Sequence, residues 1–191
     1  MKVLGIDPGG STGWALLDTT DPTPARYLAS GELDADDPPA HLARLLAEHR
    51  PELVAIEKVG SVYAKDGFGT RMAGNLYDAG WTGGRLYDRA AALGYHVVTV
   101  EAPDVRRAFQ VRAPKGKANA MVECVLRLRV PSWPPPLKTN NHERDAALAA
   151  LFAADQGRLV ARGLPIAAPT GGAKRPAKGR PRGARQTKLA I

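Results

Sequence analysis

Four residues of this 191-residue chain have types and settings that could do chemistry: Asp7, Glu57, His142 and Asp145. Asp7 ends the apolar run KVLGID (2–7) and enters a tight Pro-Gly-Gly turn, after which a second apolar run, GWALLD, leaves. Glu57 ends another apolar run, LVAIE (53–57), where a carboxylate is costly unless it has a task. NNHERDAALAALFAAD (140–155) puts His142 and Asp145 in the first turn of an apolar helix. Their spacing of three places both side chains on one helix face. Asn140 is the expected N-cap, with Glu143 as its capping-box partner, which would hold the helix start rigid.

Taken singly, each has a plainer reading. DPGG is a good turn sequence, and an acid in the first turn of a helix is favoured by the helix dipole. Taken together, three converging carboxylates would repel one another and resist ionisation, so the cluster makes physical sense mainly as a cation site. Hard cations such as Mg²⁺ take oxygen ligands. Two of them about 3.5–4 Å apart can activate a water and neutralise the charge that develops when a phosphodiester is cut. His142 could bind a metal or handle a proton. The glycines after Asp7 would let a backbone or a phosphate approach closely.

The elements that must position these groups follow from the pattern. Residues 2–7 and 12–18 read as an antiparallel hairpin, and 23–35 as a third strand of imperfect alternation. PPAHLARLLAEHRPE (38–52) reads as a helix and LVAIE as a buried parallel strand. Residues 59–70 read as a polar loop, and 70–93 as a helical region interrupted or tightly packed near GWTGG (80–84). YHVVTVEAP (95–103) is a further strand, and DVRRAFQ (104–110) a short helix. A basic loop (112–120) leads into helix 119–129, a proline-stiffened connection follows, and helix 142–156 closes the domain. The sum is an α/β domain with a mixed five-stranded sheet, a hairpin start and then parallel strands, flanked by helices on both faces. Cys124 reads as a small core residue, and Trp133 as a cap on the core. With one cysteine, no intrachain disulfide or cysteine zinc site is expected.

The net charge of +8 is unevenly spread. All 19 acidic residues lie within 1–155, against eighteen basic ones, and nine basic residues follow from Arg158 to Lys188. A nearly neutral body, 1–157, with a basic Pro/Gly-rich tail, 158–191, points to a polyanion partner, and the tail is expected to be disordered alone. No stretch approaches the roughly 20 apolar residues of a membrane span, and the N-terminus lacks a signal peptide's pattern. A cytosolic protein is expected.

GIDPGGSTG (5–13), AIE (55–57) and HERDAALA (142–149) together resemble the RuvC-type Holliday junction resolvases of the RNase H-like superfamily, over residues 1 to about 157. The resemblance implies an RNase H-like fold, with Asp7, Glu57, His142 and Asp145 as catalytic metal ligands. It implies two Mg²⁺ per active site, replaceable by Mn²⁺, and a homodimer that makes paired symmetric nicks in a four-way junction, leaving 5′-phosphates. The corresponding dimer helix would lie in 72–92, where Leu76, Trp81, Leu86 and Tyr87 supply apolar surface. The middle departs from the bacterial pattern. Tyr63 or Phe68 could wedge against an exposed base, Phe68 being favoured on its Gly67–Gly69 tip, with Lys65 and Arg71 meeting phosphates. Arg112, Lys115 and Lys117 resemble the family's basic segment ahead of a helix, a setting suited to phosphate. The low charge of the body would suit a phage-encoded or otherwise divergent member.

Other readings stay open at this point. The same site would serve a nuclease acting on flaps, other branched DNA or RNA–DNA hybrids, and a non-catalytic branched-DNA-binding module would keep the fold. GIDPGGSTG also resembles the first phosphate loop of actin-like kinases and ATPases, but those need a second domain and a second glycine loop.

Overall fold

The computed structural model describes residues 1–20, 24–58, 70–111, 118–134 and 138–161, the side chains of 70–76, 118 and 160 excepted. Five strands form one sheet: β1 (Lys2–Asp7), β2 (Gly13–Asp18), β3 (Arg26–Glu32), β4 (Leu53–Lys58) and β5 (Val97–Glu101). Their order is β3-β2-β1-β4-β5. β1 pairs antiparallel with β2, and β2 with β3. β4 pairs parallel with β1 and with β5. This is the mixed sheet expected from a hairpin followed by crossovers.

Five helices complete the described chain: α1 (Pro38–His49), α2 (Thr70–Ala92), α3 (Ala102–Ala108), α4 (Ala118–Arg129) and α5 (Asn141–Ala161). Strand alternation sorts the core into two layers. Leu4, Ile6, Leu16, Val54 and Ile56 pack with Leu42, Leu45 and Leu46 of α1 and Leu86 and Ala90 of α2. Val3, Ala15, Leu17, Leu53 and Ala55 face the other way, against Val105 of α3, Val122 and Leu126 of α4 and the alanine-rich side of α5. Helices thus cover both faces. Trp133 is buried in the second layer and stacks edge-on against Tyr27, a core cap as expected.

Several local expectations are corrected. α2 runs unbroken through Gly80, Gly83 and Gly84, so GWTGG does not interrupt it. Leu86 belongs to the core and offers no surface, whereas Trp81 and Tyr87 are exposed. Cys124 is exposed. α4 buries Val122, Leu126 and the following Val130; at about 100° per residue, Cys124 falls on the far side of that stripe. α5 continues to Ala161, five residues past the expected end, and in that extension Arg158 donates to the Thr19 carbonyl and to Asp155.

α5 lies unusually close to the sheet. A methyl group at Gly5 would stand 1.9 Å from the Ala146 carbonyl oxygen, and one at Gly13 would stand 2.3 Å from the His142 carbonyl carbon. Both glycines therefore serve close backbone approach. Ala146, Ala147, Ala149 and Ala150, all buried, match them from the helix side. This contact brings the first turn of α5 down onto the ends of β1 and β2.

Candidate active site

Asp7 and Glu57 each follow a buried isoleucine on neighbouring parallel strands, Ile6 and Ile56 being in register. Continuing that register sets Asp7 beside Glu57. Alternation turns both toward the face that α5 covers, since Gly5 and Ala55 two residues earlier face it. The turn after Asp7 is held by Thr12, whose Oγ1 donates to the Gly9 carbonyl at 3.4 Å. The Thr12 carbonyl in turn accepts from the Leu33 amide at 2.8 Å.

The opposite wall is the start of α5. The Asn140 amide donates to Glu143 Oε1 at 3.1 Å, and the Glu143 amide donates to Asn140 Oδ1 at 2.8 Å. This is the capping box expected from the sequence. It sets His142 Nδ1 2.7 Å from Asp7 Oδ2. Asp145, on the same side of the helix, meets Arg106 Nη2 of α3 at 3.4 Å. The structure therefore brings Asp7, Glu57, His142 and Asp145 together at one end of the sheet.

The electrostatics show what this costs. Burial pushes the Asp7 carboxyl up to about 6, opposed by the His142 hydrogen bond and aided by the charge of Asp145. Burial pushes Glu57 up to about 8, with the charges of Asp7 and Asp145 adding to it and Arg106 opposing. Asp145 is raised as well, again by burial first, with Arg106 and His142 pulling the other way. A site that resists holding its own negative charge, and is built from hard oxygen donors, suits a divalent cation. Among the described residues no group of three or more His, Cys, Asp or Glu side chains is arranged to hold a metal ion in the bare structure. Asp7 is instead engaged by His142, and Asp145 by the Arg106 guanidinium.

Arg106 is the site residue that the sequence reading missed. The only signal was a cluster of arginines in DVRRAFQ just after a strand that ends in an acid. Its neighbour Arg107 turns away to pair with Asp104 at 2.8 Å, while Val105 anchors the helix in the core. Lys65, Phe68, Tyr63, Arg112, Lys115 and Lys117 lie outside the described residues, as does the side chain of Arg71.

No protein-family model matches the chain. Among curated proteins it is 32% identical to the crossover junction endodeoxyribonuclease RuvC of Sorangium cellulosum, over 97% of this chain and 99% of that one. It is 30% identical to the protein of the same name from Halorhodospira halophila, over 91% of this chain and 99% of that one. Among solved structures, Thermus thermophilus RuvC in complex with a Holliday junction substrate matches with a TM-score of 0.62 and 25% identity. That match covers 84% of this chain and 96% of the other. Relatives matching over nearly their whole length, the RNase H-like sheet they share with this chain, and the carboxylates at its end agree: the chain belongs to the RuvC family of crossover junction endodeoxyribonucleases.

Proposed function

We propose that this protein is a Mg²⁺-dependent resolvase that cuts four-way DNA junctions as a homodimer, by paired symmetric nicks leaving 5′-phosphates. The observation that carries the reading is the convergence of Asp7, Glu57, Asp145 and His142 on one end of the sheet in a chain of this family. Asp7, Glu57 and Asp145 would hold the metal, two ions per site, with His142 beside them, and Mn²⁺ would substitute. When bound, Mg²⁺ supplies Lewis-acid polarisation of the phosphate and an acidified water.

The chain's own groups do the rest. With Nδ1 of His142 held by Asp7, its Nε2 is the ring nitrogen left to exchange a proton with an attacking water. Glu57, protonated at neutral pH in the bare site, would have to give up that proton to serve as a metal ligand. Arg106 adds positive charge at the α3 edge, where it balances Asp145 before substrate binds and a phosphate afterwards.

Trp81, at 63% exposure, and Tyr77, at 72%, stand out on α2 and support a dimer seam there. Such an isologous contact would set two active sites about a two-fold axis, matching a two-fold symmetric junction. Lys65, Arg71, Arg112, Lys115 and Lys117 are assigned to DNA phosphates and Phe68 to stacking at the crossover, with the nuclease unit at 1–157, the tail at 158–191 and the cytosol as its place. The test is cleavage of a strand-labelled four-way junction with Mg²⁺, beside duplex, flap and RNA–DNA hybrid controls. Symmetric paired nicks confined to the junction are expected. Equal or better cutting of a control would move the protein to another nuclease activity on the same site.

A further inference from the structure

His142 and Asp145 are separated by Glu143 and Arg144, two oppositely charged residues to which the nuclease reading gives no task beyond the capping box of Glu143. At about 100° per residue, a pair three apart shares a face and the two residues between them flank it. We propose that Glu143 and Arg144 are positioning residues, which aim His142 and Asp145 by latching the start of α5 to neighbours on opposite sides. The proposal rests on the metal-nuclease reading above.

The Glu143 latch reaches the edge strand. Its side chain is buried, at 8% exposure, and accepts hydrogen bonds from the Ser30 hydroxyl of β3 and from the Asn140 amide. Asn140 also donates to Glu32 of β3, so the helix cap and the edge strand are tied twice. The Arg144 latch reaches α4 and the segment ahead of α5. Its Nη2 donates to the Thr139 carbonyl at 2.9 Å, and its Nε stands 3.3 Å from Oε2 of Glu123. The Arg144 and Glu123 side chains are each 12% exposed, so the charges meet with little water between them. Capping alone would need only the Asn140 partner. A buried carboxylate that spends its second oxygen on a strand ties helix to sheet as well. With β3 on one side and α4 on the other, the helix has little freedom to roll. A roll is the motion that would swing His142 off Asp7 and Asp145 out of the site.

The experiment compares Glu143→Ala and Glu143→Gln with the unaltered protein. Three quantities are read: Mn²⁺ affinity of the DNA-free protein by calorimetry, single-turnover nicking of a four-way junction, and junction affinity in EDTA. Glu143→Ala is expected to weaken Mn²⁺ binding and slow nicking by about 10–100-fold, as loss of a group that orients metal ligands does. Junction affinity in EDTA should stay unchanged, because no DNA contact is removed. Glu143→Gln keeps an acceptor for Asn140 and a partner for Ser30, and should recover most of both losses. A folded Glu143→Ala with unaltered Mn²⁺ affinity and rate would overturn the proposal, as would equal loss in the two variants. If Glu143→Ala does not fold, Ser30→Ala reads the same latch by one hydroxyl: weaker Mn²⁺ binding supports it, and no change overturns it. If the unaltered protein binds Mn²⁺ without nicking junctions, the resolvase reading fails while the Mn²⁺ series still decides the latch.

Discussion

At the scale of single residues, the site holds charge against a gradient, and that gradient is measurable. Glu57 has its folded pKa raised to about 8 from an ordinary carboxylate value near 4.5. The folded metal-free protein therefore binds a proton that the unfolded chain has already lost over the window between those values. Stability falls as pH rises through that window and levels off above about 8. Glu57→Gln removes the ionisable group. It should raise the stability of the metal-free protein at pH 8 by on the order of 4 kcal/mol and change it little at pH 4. Denaturant melts in EDTA at the two pH values check this, and an equal effect at both would refute it. Asp7→Asn should abolish nicking while leaving junction binding in EDTA intact; an unchanged rate would remove Asp7 from the mechanism. Asp7 and Glu57 were legible because an acid at the end of an apolar run is conspicuous, His142 and Asp145 because a spacing of three in the first turn of an apolar helix puts them on one face. Arg106 was not, because its task is set by where the short helix α3 docks against Asp145, a long-range contact that no spacing announces. Cys124 misled for a simpler reason: an apolar stretch by itself does not set the phase of a helix, and here Val122 and Leu126 take the core side.

At the scale of elements, the decisive feature is how closely α5 approaches the hairpin. Strand type, order and approximate bounds of the hairpin could be read from alternation and from the Pro-Gly-Gly turn. The roles of Gly5 and Gly13 could not, because within a strand pattern a glycine shows only a missing side chain, not the helix that needs the space. Gly13→Ala would force a methyl group to within 2.3 Å of the His142 backbone, which cannot swing aside as a flexible side chain could. It should cost about 3 kcal/mol, the upper end for an overpacked contact, and lift His142 away from Asp7. Gly10→Ala is the matched control in the same turn region, since nothing lies within 4 Å of its added methyl group. Thermal melts and junction nicking of the two variants check the contrast. Comparable losses would mean that the turn, rather than the helix contact, governs the site. The unbroken course of α2 through Gly80, Gly83 and Gly84 has a related cause: Leu86 and Ala90 seat it on the sheet, and that burial outweighs the propensity cost of each glycine, about 1 kcal/mol.

At the scale of the whole molecule, charge and apolar surface are segregated, and each segregation predicts a behaviour. Trp81, Tyr77 and Tyr87 stand exposed along α2, on a helix whose Leu86 and Ala90 already satisfy the core. Trp81→Glu should therefore give a monomer by sedimentation, with the stability of each folded unit little changed and paired nicks replaced by isolated ones. A dimer of undiminished stability would place the seam elsewhere. The basic tail is the complementary case. Eighteen basic residues against nineteen acidic ones leave residues 1–155 with almost no net attraction for DNA, and eight basic residues follow Ala161. Affinity for a polyanion falls with salt according to the number of phosphates neutralised, by about 0.9 in the logarithmic slope per contact. Truncation after Ala161 should leave the fold intact, because α5 ends there with its core contacts made. It should weaken junction binding at low salt and flatten the salt dependence by about 0.9 for each tail residue that meets a phosphate. Binding isotherms over a salt series, run with full-length and truncated protein, count those contacts directly. Identical slopes would show that the body alone grips the junction, leaving Arg106 and the basic segment from Arg112 to Lys117 to supply the charge.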